Sequence, residues 1–308
     1  MSGPDRKTSA VIVTWNGAAW IAGAVASLRA SSVPLDIIIV DNASTDATKE
    51  VVTKAFPDVA VLSLDANHGF ARANNTGLQH ALAHGAEYVL LLNQDAKVEP
   101  DTVTRLIEAS ERHPDFGILS PVHLAYDGGG IEPAFFSFIN GHVSFISDMV
   151  QGRGRDVYET AFVNAAAWLL PRRTLETVGG LDPLFFMYGE DNDYCHRTRA
   201  RGLKVGFVPR AFAYHQASSM HVASLPFKKQ YLKLQSQIIC LLKRPDHSFV
   251  FSCAGLAVAW TKRMLIQLMD VDLKGFAASG LAVLTASFRI MTVYRHYREC
   301  KKRGRIWL

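Results

Sequence analysis

The chain has 308 residues, of which 49% are hydrophobic and 20% are charged, with 33 basic and 28 acidic side chains. This composition is typical of a folded globular protein and excludes a largely disordered chain, and the modest excess of basic residues gives no reason to expect a nucleic-acid partner. Four scattered cysteines without a Cys-x-x-Cys pair exclude a disulfide scaffold and argue against a cysteine zinc site.

The first 115 residues alternate between buried strands and helices. Apolar runs and helical spacing predict, in chain order, strand 9–14, helix 20–31, strand 35–40, a helix capped by Ser44, strand 59–64, helix 69–84, strand 87–92 and helix 100–113. Because these strands are apolar throughout, we expect an α/β fold with a mostly parallel central sheet flanked by helices.

The pattern loosens after residue 115, and residues 121–160 show no clear period around a glycine loop at 128–130. Order returns with a strand at 164–170, a helix after Pro171, helix 190–201, strands 204–208 and 211–215, and helices from Pro226 onward. We therefore divide the chain into residues 1–225, with halves 8–115 and 116–225, and a helical C-terminal segment, 226–308.

Charge separates this C-terminal segment from the rest of the chain. Residues 226–308 hold 15 basic and 4 acidic side chains, a net charge of +11, whereas the preceding 225 residues carry −6. Two apolar stretches in the segment, 248–261 and 275–288, have 14 residues each and fall short of the roughly 20 that span a bilayer. Basic residues beside such helices predict contact with an anionic membrane surface. The alternative is a helical lid or a homodimer surface.

The amino terminus is polar, and no apolar segment of signal-peptide length follows it. We therefore expect a cytoplasmic protein that is peripheral at the inner face of the cell membrane.

Polar side chains follow each of the first four predicted strands. They are Thr14, Trp15 and Asn16 after the first, Asp41 after the second, Asn67 and Gly69 after the third, and Asn93, Gln94 and Asp95 after the fourth. Ligands of open α/β sheets bind beyond the carboxyl ends of the strands, so these groups predict one site. Neither a Gly-x-Gly-x-x-Gly nor a P-loop motif is present to indicate a dinucleotide or P-loop site.

Two carboxylates of this set suit particular ligands. Asp41 could accept hydrogen bonds from a base or a ribose, and its alternative role is in capping the next helix. Asp95, at a strand tip, suits Mg²⁺ or Mn²⁺ held mostly by phosphate oxygens and water, and its alternative role is in forming a turn.

These residues together resemble glycosyltransferase family 2, which has the GT-A fold. The matching segments are 11–16 (VIVTWN), 39–46 (IVDNASTD), 67–70 (NHGF) with Asn74, 91–95 (LLNQD), 178–183 (VGGLDP) and 186–197 (FMYGEDNDYCHR). The resemblance covers about residues 8–220. It makes 8–115 the half that binds the nucleotide sugar and 116–225 the acceptor and catalytic half.

The resemblance also implies roles for individual residues. A nucleoside-diphosphate sugar, with dTDP or UDP, would be bound by Thr14, Trp15, Asn16, Asp41, Asn67, Gly69, Asn74, Asn93 and Gln94. Asp95 and His215 would bind Mg²⁺ or Mn²⁺, and Asp191 would be the catalytic base. Asn93 stands where many members carry Asp, which removes one anionic ligand.

The segment around Asp191 also has a chemical rationale. Inverting sugar transfer needs a base for the acceptor hydroxyl, and the start of a helix favours the ionised carboxylate that a base requires. We assign acceptor contacts to Trp168, Asp182, Glu190 and Arg197. The alternatives are a core position for Trp168 and a helix-stabilising role for Arg197, which shares a helix face with Glu190 and Asp193.

We therefore expect a metal-dependent inverting glycosyltransferase of the rhamnosyltransferase-like branch, acting on a glycan or lipid-linked glycan in cell-surface polysaccharide synthesis. One alternative is a nucleotidyltransferase, which would usually carry a glycine-rich basic loop after the first strand. Another is a degenerate scaffold that binds nucleotide sugars, and the presence of both Asp95 and the pair Glu190–Asp191 argues against it.

Overall fold

The computed structural model describes residues 6–216, 225–302, 304 and 306–308. Its strands are β1 (Thr8–Thr14), β2 (Asp36–Asp41), β3 (Ala60–Ser63), β4 (Tyr88–Asn93), β5 (Ala96–Val98), β6 (Phe116–Ala125), β7 (Tyr158–Glu159), β8 (Ala167–Pro171) and β9 (Lys204–His215). They form one sheet in the order β3-β2-β1-β4-β8-β6-β9-β5, with β7 paired to β9.

The sheet is mixed, whereas we expected it to be mostly parallel. Strands β1 to β4 are mutually parallel, and so are β6 and β9, but β8 runs antiparallel to β4 and β6, and β5 and β7 run antiparallel to β9. The apolar pattern of a strand reports burial on both faces and not strand direction, so the sequence could not reveal the reversed strands.

Helices cover both faces of the sheet. They are α1 (Ile21–Arg29), α2 (Thr48–Ala55), α3 (Phe70–Ala83), α4 (Thr102–Arg112), α5 (Pro133–Ile139), α6 (Val143–Val150), α7 (Arg172–Val178) and α8 (Glu190–Ala200). The apolar faces of α1, α2 and α4 pack in one core cluster and those of α3, α5, α7 and α8 in the other. The cap predicted at Ser44 is wrong: α2 begins at Thr48, and the Ser44 hydroxyl accepts from the Asn16 N–H instead.

The register of the parallel strands brings their carboxyl ends together. Thr14 of β1 lies opposite Asp41 of β2, and Val13 of β1 lies opposite Asn93 of β4. The polar residues that follow these strands therefore meet at one edge of the sheet.

Strand β9 forms a second approach to this edge. It is one continuous strand and not the two we predicted, with a bulge opposite Pro121 and Val122. Its last residue, His215, lies opposite Ala96 of β5 and Ala125 of β6. The pairing places His215 beside Asp95, which precedes β5 in the chain.

The segment after Pro226 is helical, as predicted, with α9 (Phe227–Leu242), α10 (Phe249–Met269), α11 (Leu273–Phe288) and α12 (Ile290–Glu299). These helices share a third apolar cluster that includes Phe185. A buried ionic group attaches them to α8 and to the segment before it: the Lys243 ammonium donates to Asp182 and, at 2.7 Å, to Asp193 of α8, and His296 contacts Asp182 at 2.6 Å.

Helix α10 is longer than the apolar stretch that the sequence showed. Its 21 residues are long and apolar enough to cross a membrane, and only 6% of its apolar window is buried. Our expectation that the stretch is too short to span a bilayer is therefore wrong for this helix. Helices α11 and α12, bent by 68° between them, pass the same test together.

Candidate active site

A cleft of about 160 Å³ opens at the carboxyl ends of β1, β2 and β4, and we call it the strand-end cleft. Six of its lining residues are among the predicted site residues: Trp15, Asn67, Gly69, Asn93, Gln94 and Asp95. Four others were not predicted: Val13, Asn42, Phe70 and Met187. The structure thus brings these six predicted residues into one concave site.

Gln94 organises the β1 side of this cleft. Its Oε1 accepts hydrogen bonds from the Thr14 hydroxyl at 2.6 Å and from the Trp15 N–H at 3.0 Å. Thr14 is buried, so it acts by holding Gln94, whereas the Trp15 indole is 47% exposed at the cleft. Asn16 lies outside the cleft lining and accepts from the Thr45 N–H at 2.8 Å.

Asn42 organises the opposite side. Its Nδ2 donates to Asn67 Oδ1 at 2.9 Å, and its Oδ1 accepts from the His68 N–H at 2.9 Å. The signal for Asn42 was its place directly after Asp41, at the end of a strand. Asp41 itself is 2% exposed and accepts from the Ser44 N–H at 3.3 Å, and its contact with a nucleotide stays a prediction.

Two residues that were predicted to bind the donor shape the backbone around the cleft instead. Asn74 is buried and donates to the Phe70 carbonyl at 2.9 Å within α3, so it does not reach the cleft and our prediction for it is wrong. Gly69 lines the cleft at a φ of +82°, and a Cβ there would lie 2.4 Å from the Phe186 carbonyl oxygen. Glycine therefore allows the cleft to approach the segment that leads to Asp191.

Beyond Asp95, acidic groups and histidines form a buried chain of contacts. His215 Nε2 lies 3.6 Å from Asp95 and 3.3 Å from the Asn93 amide, while its Nδ1 faces Glu132 at 3.4 Å. The other Glu132 oxygen lies 3.5 Å from His123 Nδ1. Glu132 and His123 were not predicted because they fall in the region without a clear period.

The ionisable groups in this row of contacts affect one another's pKa values. Burial favours a neutral Glu132, but hydrogen bonds to His123 and His215 prevail and lower its pKa to about 2. Burial raises the pKa of Asp95. Burial alone would lower the pKa of His215, but its contacts with Glu132 and Asp95 outweigh burial and raise that pKa.

The arrangement fits a divalent cation that is held only partly by protein. In the described part of the chain, no group of three or more His, Cys, Asp or Glu side chains is arranged to hold a metal ion. Asp95 and His215 nevertheless offer one oxygen and one nitrogen, and Glu132 behind His215 can fix the Nδ1–H tautomer that leaves Nε2 free. Mg²⁺ and Mn²⁺ sites of this kind complete their coordination with phosphate and water.

Asp191 and Glu190 open α8 after two residues with left-handed backbone, Tyr188 and Gly189. Burial raises the pKa of Asp191 despite a 2.8 Å hydrogen bond from the Asn192 N–H. Burial and the adjacent Asp191 carboxylate raise the pKa of Glu190 to about 8. The expected effect of the helix N-terminus, to keep Asp191 ionised, is outweighed by burial.

A second and larger cavity, of about 840 Å³, lies between α8 and the C-terminal helices α9 and α10, and we call it the α8–α10 cavity. Asp191 and Glu190 line it together with Tyr188. Met187, directly before them in the chain, lines the strand-end cleft. One short backbone segment thus contributes lining residues to both cavities and carries both carboxylates.

Three predicted acceptor residues are structural instead. Trp168 is fully buried beside Tyr194, and Asp182 is fully buried in the ionic group that holds the C-terminal helices. Arg197 is 1% exposed and donates to Asp193 at 2.8 Å and to two backbone carbonyls. None of these side chains can reach a bound acceptor, so the acceptor prediction is wrong for all three. Glu190 alone of that set lines a cavity.

Known proteins resemble this chain in sequence. A family model described as glycosyl transferase family 2 matches residues 9–164. The chain is 26% identical over 231 residues to N-acetylglucosaminyl-diphospho-decaprenol L-rhamnosyltransferase of Mycobacterium tuberculosis, covering 67% of this chain and 74% of that protein. It is 23% identical over 178 residues to the dTDP-rhamnosyl transferase RfbF of Shigella flexneri, covering 56% and 57%.

Solved structures resemble it in fold. The mannosyltransferase PcManGT from Pyrobaculum calidifontis, in complex with GDP-Man and Mn²⁺, has a TM-score of 0.58 at 18% identity, covering 96% of this chain and 83% of that one. Staphylococcus aureus TarS 1–349 with UDP has a TM-score of 0.53 at 16% identity, covering 80% and 68%. The chain has the GT-A fold and belongs to glycosyltransferase family 2, where its curated relatives include rhamnosyltransferases.

Proposed function

We propose that the protein transfers L-rhamnose from dTDP-L-rhamnose to a hydroxyl group of a lipid-linked glycan, with inversion at the anomeric carbon. The observation that supports this most is the position of Asp191, which lines the α8–α10 cavity on a segment whose Met187 lines the strand-end cleft. A carboxylate placed there can take a proton from an acceptor in one cavity while the donor sugar lies at the other.

The proposed reaction is one displacement. The acceptor oxygen forms a bond to the anomeric carbon while the bond from that carbon to the diphosphate breaks, and Asp191 takes the hydroxyl proton as the nucleoside diphosphate leaves. Attack opposite to the leaving group inverts the configuration. The raised pKa of Asp191 makes it a stronger base, and Glu190, with a pKa of about 8, is mostly neutral at pH 7 and can donate a hydrogen bond.

We assign Asp95 and His215 to an Mg²⁺ or Mn²⁺ ion. The ion would neutralise charge on the departing diphosphate. The buried Glu132 behind His215 and the Asp95 carboxylate, 3.6 Å from His215 Nε2, support this assignment. The presence of Mn²⁺ in the mannosyltransferase of the same fold is consistent with it.

The choice of donor rests on the relatives. Two curated relatives carry rhamnosyl transfer in their names, and the Shigella protein is named for dTDP-rhamnose. A UDP-sugar is the second candidate because TarS, of the same fold, was solved with UDP. A relative that matches 33% of this chain and is named for succinoglycan biosynthesis supports the proposed role in polysaccharide synthesis.

The C-terminal helices support a place at the inner face of the cell membrane. Val258, Leu265 and Ile266 of α10 and Phe288 of α11 are large exposed apolar side chains, and Lys262 is exposed among them. Exposed apolar residues mixed with basic ones are typical of segments that contact anionic lipid. A second copy of the chain is the other partner that this surface would suit.

Calorimetric titration of the full chain with dTDP, UDP and GDP, each with and without Mn²⁺, tests the proposal. We expect dTDP to bind most tightly and its affinity to rise at least tenfold with Mn²⁺. Tighter binding of UDP would contradict the rhamnose assignment and retain a glycosyltransferase. If none of the three bound to folded protein, a degenerate scaffold would explain the chain better.

A further inference from the structure

The α8–α10 cavity contains several buried polar atoms that have no hydrogen-bond partner within the described chain. They are Asn164 Oδ1, Glu190 Oε2, Trp260 Nε1 and Arg263 Nε. Glu190 and Trp260 are each only 7% exposed. A buried polar group without a partner costs about 1–3 kcal/mol, so the four residues that carry these atoms are candidates to pair with a polar ligand of the cavity they line.

The cavity is also rich in positive charge. Lys233 of α9 and Arg263 of α10 line it together with Arg244. Arg244 is paired with Asp246, whereas among the described residues no carboxylate pairs with Lys233 or Arg263. These two lie against aromatic rings instead: Lys233 Nζ is 5.2 Å from the Tyr188 ring centre, and the Arg263 guanidinium carbon is 5.7 Å from that of Trp260.

Two cations without acidic partners, on one wall of a cavity, suit a ligand with phosphate groups. The diphosphate of the sugar donor is not that ligand in our account, because we place it beside Asp95 in the separate strand-end cleft. A phosphate-bearing ligand of the α8–α10 cavity would therefore be the second substrate.

The wall that carries Arg263 continues into an apolar surface. Trp260 and Arg263 belong to α10, whose residues Val258 and Leu265 are 73% and 56% exposed. A ligand anchored at Arg263 thus has a long apolar helix beside it. A ligand with phosphate for the two cations, an apolar chain for α10 and a hydroxyl for Asp191 belongs to one chemical class, a sugar linked through diphosphate to a lipid.

We propose that the α8–α10 cavity binds the acceptor as a lipid-diphosphate sugar, with its diphosphate held by Lys233 and Arg263, its lipid chain along α10 and its reacting hydroxyl at Asp191. This inference rests on the proposed function and gives the C-terminal helices a direct part in substrate binding. Glu190 and Asn164 would then supply hydrogen bonds to sugar hydroxyls.

The test uses the full chain and farnesyl diphosphate as the probe, with farnesol and inorganic diphosphate as partial probes, in calorimetric titrations. We expect Lys233→Ala and Arg263→Ala each to weaken farnesyl diphosphate binding at least tenfold. Lys262→Ala, which removes an exposed charge from the next position of α10, should change it less than twofold. Both partial probes should bind at least tenfold more weakly than farnesyl diphosphate.

The affinity for dTDP with Mn²⁺ separates the two proposals. It should stay within twofold of wild type in all three variants, which also shows that they are folded. Loss of dTDP binding by the wild-type protein would contradict the proposed function, whereas equal farnesyl diphosphate affinity in all variants would overturn this inference. Displacement of the probe by dTDP would also overturn it, because the diphosphate would then occupy the donor cleft.

A bilayer headgroup is the competing source of phosphate. Vesicles of phosphatidylcholine with one third phosphatidylglycerol form the second arm. If Arg263→Ala and Lys262→Ala reduced vesicle binding equally and neither changed farnesyl diphosphate binding, the cations would serve the membrane surface and the inference would fail.

Discussion

The strand-end cleft and the C-terminal helices are held in position by different kinds of contact. The cleft is built from residues that directly follow β1, β2 and β4, so chain position alone brings them to one edge of the sheet. The helices are attached by Lys243, which meets Asp182 and Asp193 in the core. Local order thus determines the strand-end cleft, and a few long-range ionic contacts hold the helices that line the α8–α10 cavity.

The largest effect should come from the residue between these two regions. Asp191→Asn removes the base but keeps the shape, so we expect kcat to fall about 10²–10⁴-fold while the dTDP affinity stays within twofold. Glu190→Gln is the matched control, because it mimics the neutral form of Glu190, and its kcat should fall less than tenfold. If the Asp191→Asn variant were about as active as the wild-type protein, the assignment of Asp191 as the base would be contradicted.

The contact that attaches the helices can be broken at Lys243. Lys243→Ala leaves Asp182 and Asp193 buried without their cation, so we expect the free energy of unfolding to fall by about 3–5 kcal/mol in urea titrations. Lys228→Ala, at an exposed position of α9, should cost less than about 0.5 kcal/mol. Equal stability of the two variants would show that the apolar cluster alone holds the helices.

The proposed binding of Mn²⁺ can be weakened without replacing a proposed metal ligand. Glu132→Gln keeps the size of the side chain but removes the negative charge that faces His215 Nδ1, so we expect Mn²⁺ affinity in the presence of dTDP to fall about 10–100-fold. Glu99→Gln, which alters the acceptor of the Tyr214 hydroxyl on the same strand, is the control and should leave Mn²⁺ affinity unchanged. An unchanged affinity for both variants would argue against His215 as a ligand.

The smallest effects should appear in the pH dependence. Transfer needs ionised Asp191, whose pKa burial raises, so the acid limb of kcat/KM should lie at higher pH than for an ordinary aspartate. Glu190 loses its proton near pH 8 and then places a second negative charge beside Asp191, so activity should also decline above about pH 8. Glu190→Gln should remove that basic limb; if the limb persisted, another group would be responsible.

Sequence patterns predicted the parts of this molecule that depend on residues close together in the chain. Apart from the short strand β5 (Ala96–Val98), which was not predicted, the strand and helix order of the first 115 residues and the helical C-terminal segment follow from apolar periods. Glu132 and His123 were missed because β9 joins them to His215 across more than 80 residues. Trp168, Asp182 and Arg197 fit a site by residue type, and only burial reveals that they hold the core.

The length of α10 was underestimated for a physical reason. The sequence shows an apolar run that ends at Lys262 and Arg263, but the helix continues to Met269. Long basic side chains do not end a helix, since their stems can lie along apolar surface while the charge reaches a polar partner. Of these two residues, Lys262 is exposed and Arg263 lines the α8–α10 cavity.

The stereochemistry of transfer tests the central claim most directly. The wild-type protein is incubated with dTDP-L-rhamnose and a lipid-diphosphate-linked N-acetylglucosamine, and the anomeric configuration of the product is read by NMR. A single base between two cavities requires one displacement, so the account predicts a product with the configuration opposite to that of the donor. A product that retains the donor configuration would contradict the role assigned to Asp191.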